Sequence, residues 1–130
     1  MIKKALFYLN RADSVIQLDT AVMSAIYSEK QSAYSATGNY QKAAECYKLA
    51  YTYEPNPEFL FYTASLYQNK IKDKEKALEY YQRFVEALPP GKHAGHQFTR
   101  EKIVVSLRQI AEDHIKTLKK ELFFEGKNRI

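Results

Sequence analysis

The chain has no tryptophan, one cysteine, and only four glycines and four prolines in 130 residues. A single cysteine, Cys46, excludes an intrachain disulfide framework, so folding rests on packing alone. So few turn-forming residues argue against an all-β fold, which needs a turn signal every ~8–12 residues. No stretch approaches the ~18 consecutive apolar residues of a transmembrane helix, and no membrane insertion is expected. The opening "MIKKALFYLNRADSV" is apolar only from Ala5 to Leu9 before Asn10 and Arg11 intervene, too short a run for a signal peptide. As written, the sequence reads as cytoplasmic; a leader removed ahead of it would place it in the periplasm or envelope.

Catalytic signatures are also missing. There is no GxSxG, no HExxH and no glycine-rich phosphate loop. His93 and His96 lie three apart in a glycine-containing loop, but no cysteine or acidic residue follows at ligand spacing. They read as solvated loop residues, and His114 lies apart on a helix. Cys46, between Glu45 and Tyr47, reads as a small buried hydrophobe. The expectation is a non-enzymatic protein with no cofactor and no metal.

What the chain does have is eleven tyrosines and seven phenylalanines, on a background of 45% hydrophobic and 27% charged residues ordinary for a soluble domain. The net charge of +5 is concentrated in the tail. Residues 91–130 hold nine basic residues: Lys92, Arg100, Lys102, Arg108, Lys116, Lys119, Lys120, Lys127 and Arg129. That cluster raises the alternative of a nucleic-acid-binding protein using its basic C-terminal helix. Glu101, Glu112, Asp113, Glu121 and Glu125 interrupt it, however, and a mixed-charge solvent face explains the pattern more simply.

The chain repeats itself. Lys42, Ala43, Glu45, Tyr47 and Pro55 fall on Lys76, Ala77, Glu79, Tyr81 and Pro89 at a shift of 34 residues. Tyr34 and Tyr67 close the preceding segments 33 apart, so the second turn is one residue longer. Ala43, Tyr47 and Ala50 make one helical stripe, and Ala77, Tyr81 and Phe84 repeat it. Gly38-Asn39 separates the first pair of helices. In "EPNPE", Asn56 offers an N-cap, Pro57 the first helical position and Glu58 a first-turn anion. "LPPGKHAGHQF" breaks the pattern, and a long amphipathic helix follows, from Thr99 as N-cap to Gly126 as the residue past its end. Residues 2–17 carry Leu6, Leu9, Ala12 and Ile16 on one stripe. Lys4-Ala5 and Ala12 match Lys42-Ala43 and Ala50 at a shift of 38, as in the second helix of a degenerate unit. "LDT" at 18–20 can instead be set against "YEP", which moves the register by several residues.

These residues resemble the tetratricopeptide repeat, a helix–turn–helix motif. Tyr27, Tyr34, Ala43, Tyr47, Ala50 and Pro55 carry the resemblance in the first unit. Leu60, Ala64, Tyr67, Ala77, Tyr81, Phe84 and Pro89 carry it in the second. Lys30 and Gln31 stand in place of the family's Leu-Gly pair, and Phe84 in place of a small alanine. The resemblance implies an all-α right-handed superhelix of about two and a half antiparallel helix pairs. Its expected parts are a half-repeat at 2–20, repeats at 22–56 and 57–90, and a solvating helix at 97–125. The aromatic rings are expected to be mostly core. The stretch from "YEPNPEFLFYTASLY" onward is also similar to bacterial proteins of this family associated with the envelope.

In the family the first helices of each pair line a concave groove. Carried over, that gives Ser28, Ser32 and Ser35, with Ala25 and Ala36, then Glu58, Phe61, Ser65, Gln68 and Asn69. The resemblance implies a scaffold that holds a peptide or partner helix there, with Phe61 as its apolar anchor. The basic cluster used to grip a C-terminal carboxylate is missing from this set. The uncovered N-terminal segment also implies self-association through residues 2–20.

Overall fold

The computed structural model describes residues 19–89 and 99–128. They form five packed antiparallel helices, with no strand among them. Helix α1 spans Thr20–Ala36, α2 Tyr40–Tyr53, α3 Pro57–Leu66, α4 Lys74–Ala87 and α5 Thr99–Asn128. The expected half-repeat lies outside the described residues but for its last two, and the loop with His93 and His96 lies outside them altogether.

The helix ends follow from local chemistry. Asp19 caps α1, its carboxylate accepting from the Ala21 and Val22 amides. The helix stops where Asn39 N donates to Tyr34 O (2.8 Å) and Gly38 N to Ser35 O (3.1 Å). That pair of bonds needs a left-handed residue, and Gly38 supplies it at φ +80°. Asn56 caps α3 by accepting from Glu58 N at 3.0 Å, with Pro57 at the first helical position.

The second unit ends its first helix differently. Tyr67–Ile71 form a π-helical turn, and Asp73 N reaches back to Tyr67 O at 2.8 Å. The bridge spans six residues where Tyr34–Asn39 spans five. The extra residue seen in the 33-against-34 spacing is absorbed in this widened turn. Lys72, not a glycine, takes the left-handed position at φ +67°. Asp73 then caps α4 by accepting from Lys76 N at 3.0 Å, whereas Asn39 makes no side-chain cap bond to α2.

Alanine sets the spacing of the helices. Ala43, Ala44, Ala50, Ala64, Ala77 and Ala111 are all fully buried, which lets neighbouring backbones approach closely. Tyr67, Tyr81, Phe84 and Leu118 fill the space between them. Each such side chain contributes about 1.5–3 kcal/mol through burial. Only Tyr67, Tyr80, Tyr81 and Phe84 among the described rings are buried; most others are half-buried along the seams, which corrects the expectation of a mostly core role. Cys46 is buried, as its neighbours suggested, and burial raises its thiol pKa.

α5 takes the place of a further first helix. Tyr47 of α2 packs on Phe59 and Tyr62 of α3, with ring centroids 6.1 and 5.7 Å apart. Its counterpart Tyr81 on α4 stacks on His114 of α5 at 5.0 Å. Leu60, Thr63 and Ala64 on α3 and Tyr67 at the start of the π turn form one buried stripe, which joins the core cluster shared with α4. The same i, i+3, i+4, i+7 spacing on α5 gives Glu112, Ile115, Lys116 and Lys119, which border a groove of about 620 Å³ against α4. Charges stand where another helix would need apolar contact, so α5 solvates this end of the stack. α5 also runs through Gly126 to Asn128. Gly126 has no positive φ, and so does not serve as the left-handed stop expected of it.

Candidate functional site

The carried-over residues fall on α1, on α3 and in the π turn. On α1, Ser32 is exposed and Ser28 and Ser35 are half-buried, with Ala25 and Ala36 exposed beside them. Ser35 accepts a hydrogen bond from Gln31 Nε2 at 2.8 Å, so one of the two residues at the family's Leu-Gly pair takes part in the polar surface. On the second unit Asn69 is exposed, while Glu58, Phe61, Ser65 and Gln68 are half-buried. Asn69 Nδ2 donates to Ser65 Oγ at 3.2 Å, one turn back.

Two of these side chains are engaged inward. Phe61 meets Tyr81 and Phe84 edge-on, at centroid distances of 5.5 and 5.3 Å. It is part of the packing against the core, which weakens its use as a free apolar anchor. Gln68 joins three elements. Its Oε1 accepts from the Tyr81 hydroxyl at 2.8 Å, and its Nε2 lies 3.2 Å from His114 Nδ1. With the oxygen committed to Tyr81, the amide nitrogen must donate, which leaves Nδ1 of His114 the acceptor. Burial pushes the Tyr81 phenol up to about 12, with a Ser65 hydrogen bond acting in the opposite direction.

The Gln68–His114 contact brings α5 to the edge of this face, which sequence reasoning missed. Ile110, one turn before His114, is exposed, and Thr117, one turn after it, is exposed as well. The tail was read for its charges, and nothing in the repeat pattern assigns His114 a partner. A signal was nonetheless present: an apolar Ile103 and Ile110 seven apart, outside the inward stripe of half-buried Leu107 and buried Ala111 and Leu118.

A second cluster lies between α2 and α4. Lys48 Nζ donates to the Tyr67 hydroxyl at 2.7 Å and to Glu45 at 3.0 Å, and sits over the rings of Tyr67 and Tyr80. Burial works against its charge, but the hydrogen bonds to Tyr67 and Glu45 outweigh that and raise its pKa. Lys48 therefore reads as an internal strut.

The basic tail is largely balanced where it is described. Arg108 donates to the carbonyl of Pro89 at 2.7 Å, and Lys116, Lys119 and Lys120 are exposed among Glu112, Asp113, Glu121 and Glu125. Glu121 and Glu125 pair with Lys74 of α4. Lys92 and Arg129, and the side chains of Arg100, Lys102 and Lys127, lie outside the described residues. Among the described residues no group of His, Cys, Asp and Glu could hold a metal, and no helix is long and apolar enough to cross a membrane.

Residues 32–57 match the family model of the tetratricopeptide repeat. That segment is a tetratricopeptide repeat. The matched segment runs from Ser32 through the Gly38 turn and the whole of α2 to Pro57, and the second unit follows it in helix order and in the Ala–Tyr stripe. No curated protein and no solved structure matches the chain. Tetratricopeptide repeats are typically non-catalytic and imply protein partners, so the chain is of the kind that serves as a protein–protein interaction scaffold.

Proposed function

We propose that this protein binds a peptide or a helix of another protein across the face formed by α1, α3 and the near edge of α5. The observation that carries the reading is the position of the polar residues. Ser28, Ser32 and Ser35 on α1, and Glu58, Ser65, Gln68 and Asn69 on the second unit, repeat along the first helices of the two pairs. Side-chain hydrogen bonds hold several of them in place before any partner arrives (Gln31 to Ser35, Asn69 to Ser65, Tyr81 to Gln68). Pre-ordered side chains lower the entropy cost of binding. Small hydroxyls also let a partner backbone come close, and the exposed Ile110 beside His114 provides apolar contact at the α5 edge.

Phe61 is a poor probe of this face, because its removal would also open the core. Ser32→Arg and Asn69→Arg are better: both positions are exposed, and both changes add bulk to the face. Native affinity capture first identifies a partner, and titration of that partner then compares the variants. Each variant is expected to weaken binding at least tenfold with an unchanged far-ultraviolet circular dichroism spectrum. Equal binding by both variants would remove this face from the function.

A further inference from the structure

His114 meets the second unit at one polar point. Its ring lies 5.0 Å from that of Tyr81 and nearly parallel to it, at 15°. Gln68 of the π turn stands beside both, its amide nitrogen 3.2 Å from His114 Nδ1 and its oxygen 2.8 Å from the Tyr81 hydroxyl. Ser65 makes a side-chain hydrogen bond to Tyr81, and accepts from Asn69 Nδ2 at 3.2 Å. One chain of hydrogen bonds therefore runs from α5 through the π turn and α4 to α3.

The number of protons fixes the direction of every bond in it. An amide offers donors at one end and an acceptor at the other, and a hydroxyl has a single hydrogen. With neutral His114 accepting at Nδ1, Gln68 gives it an N–H and turns its oxygen to Tyr81. Tyr81 gives its one hydrogen to that oxygen, so Ser65 is the donor in its bond to Tyr81. Ser65 then has no hydrogen left for the face, but keeps one lone pair that Asn69 does not use. A protonated His114 reverses this. Imidazolium carries a hydrogen on both nitrogens, and Nδ1–H against the Gln68 N–H sets donor against donor. Turning the amide over restores the bond: Oε1 accepts from Nδ1, and Nε2 donates to Tyr81. The phenol hydrogen turns to Ser65, whose oxygen now accepts from Tyr81 and Asn69. The Ser65 hydrogen is released toward the face. One proton from water is added, the Gln68 amide and two hydroxyls rotate, and no covalent bond breaks.

The surroundings admit the change without moving the rings. A parallel stack on Tyr81 also holds a cationic ring. On α5 the residues one turn either side of His114 are Ile110, Ala111, Thr117 and Leu118, all uncharged. On α4 those one turn either side of Tyr81 are Ala77, Leu78, Phe84 and Val85, uncharged as well. Asp113 accepts from Gln109 at 3.2 Å, and Glu121, two turns beyond His114, pairs with Lys74 of α4. Lys70 of the π turn lies over the Tyr40 ring, and Glu58 of α3 stands two turns before Ser65. Tyr81 is the titratable group set against the histidine ring.

We propose that His114 is a proton-operated switch: its protonation turns over the Gln68 amide and converts Ser65 from a hydrogen-bond acceptor into a donor. Histidine is the side-chain type that charges between about pH 5 and 8. The neutral form suits a partner N–H at Ser65, and the charged form a carbonyl or carboxylate. That consequence for a partner rests on this face being the binding surface; the switch itself does not.

Nuclear magnetic resonance of the free, isotope-labelled full chain tests the switch with no partner present, so it stands or falls apart from partner binding. Before His114 is protonated, its ring should carry hydrogen on Nε2 and none on Nδ1. From about pH 8 down to about pH 5, the side-chain NH2 resonances of Gln68 and Asn69 should shift with the midpoint of the His114 ring. Tyr81→Phe keeps the stacked ring and cuts the chain, so the Gln68 shift should persist and that of Asn69 should be lost. In His114→Phe neither amide should titrate. A neutral His114 with hydrogen on Nδ1, a Gln68 amide that does not follow the ring, or an Asn69 shift unchanged by Tyr81→Phe would each overturn the proposal.

Discussion

The two helix pairs share one pattern and use it unequally. In the second unit Leu60, Ala64, Tyr67, Ala77, Tyr80, Tyr81, Phe84 and Leu88 belong to one buried cluster that continues into α5 through Ala111 and Leu118. In the first unit α2 buries four residues, three of them alanines, and α1 buries only Ser24. The difference traces to individual positions. Phe84 fills the place of Ala50, and Ala64 the place of Gln31, so the second unit has both the larger filler and the closer helix approach. Small residues at a crossing bring backbones together, and large rings then exclude water from what is left. The first unit keeps a more polar and more exposed surface instead.

The comparison breaks most visibly at Phe84. Phe84→Ala should cost about 3–5 kcal/mol in urea unfolding, because a fully buried ring leaves a cavity between α3, α4 and α5. Tyr27→Ala, which removes a half-buried ring from a stacked pair in the first unit, should cost about 0.5–1.5 kcal/mol. Equal losses would mean that the first unit is as tightly packed as the second.

Exchanging the crossing residues gives the next largest effect. Ala64→Gln places an amide at a fully buried contact and should cost about 1–3 kcal/mol. Gln31→Ala should stay within about 0.5 kcal/mol, since it removes only a half-buried side chain and its bond to Ser35.

Tyr81 sharpens the comparison through pH. Its phenol titrates near 12 in the folded chain, above the ordinary tyrosine value of about 10 in the unfolded one. Its contribution to stability is therefore full below pH ~10 and is lost as pH rises toward 12, because the unfolded chain gives up that proton first. Tyr81→Phe should cost about 1 kcal/mol at neutral pH, through the lost bond to Gln68. It should also flatten the decline in stability between pH 10 and 12, as read from urea midpoints across that range.

The smallest effect separates the two turns. Lys72 holds a left-handed conformation that glycine adopts without strain, so Lys72→Gly should be neutral or stabilising by up to about 1 kcal/mol. Gly38→Ala at the matching position of the first unit should destabilise by about the same amount. Thermal melts of the two variants, moving in opposite directions, would check this.

Much of the fold was legible because repeats write their geometry twice. The Ala43–Tyr47–Ala50 stripe, the Asn56 cap and the Gly38 stop all follow from local rules, and one turn longer by a residue was visible in the count between Tyr34 and Tyr67. The form that residue takes, a π turn with Lys72 in a left-handed conformation, depends on how α3 and α4 pack and could not be read locally. Gly126 misled for a related reason: a glycine stops a helix only when the chain turns there. The positions of the proposed interaction face on α1 and α3 came from the repeat, which names them. Its edge on α5 was not, because the link from Gln68 to His114 joins residues 46 apart with no repeat to align them.

Hydrogen exchange of the free chain and of its complex with a captured partner tests the central claim most directly. If recognition uses the face built from the first helices, the partner should slow amide exchange in α1, in α3 and around residues 110–117 of α5. Exchange in α2 and α4 should stay within error of the free chain. Slowing confined to α2 and α4 would contradict the account and place recognition on the other side of the stack.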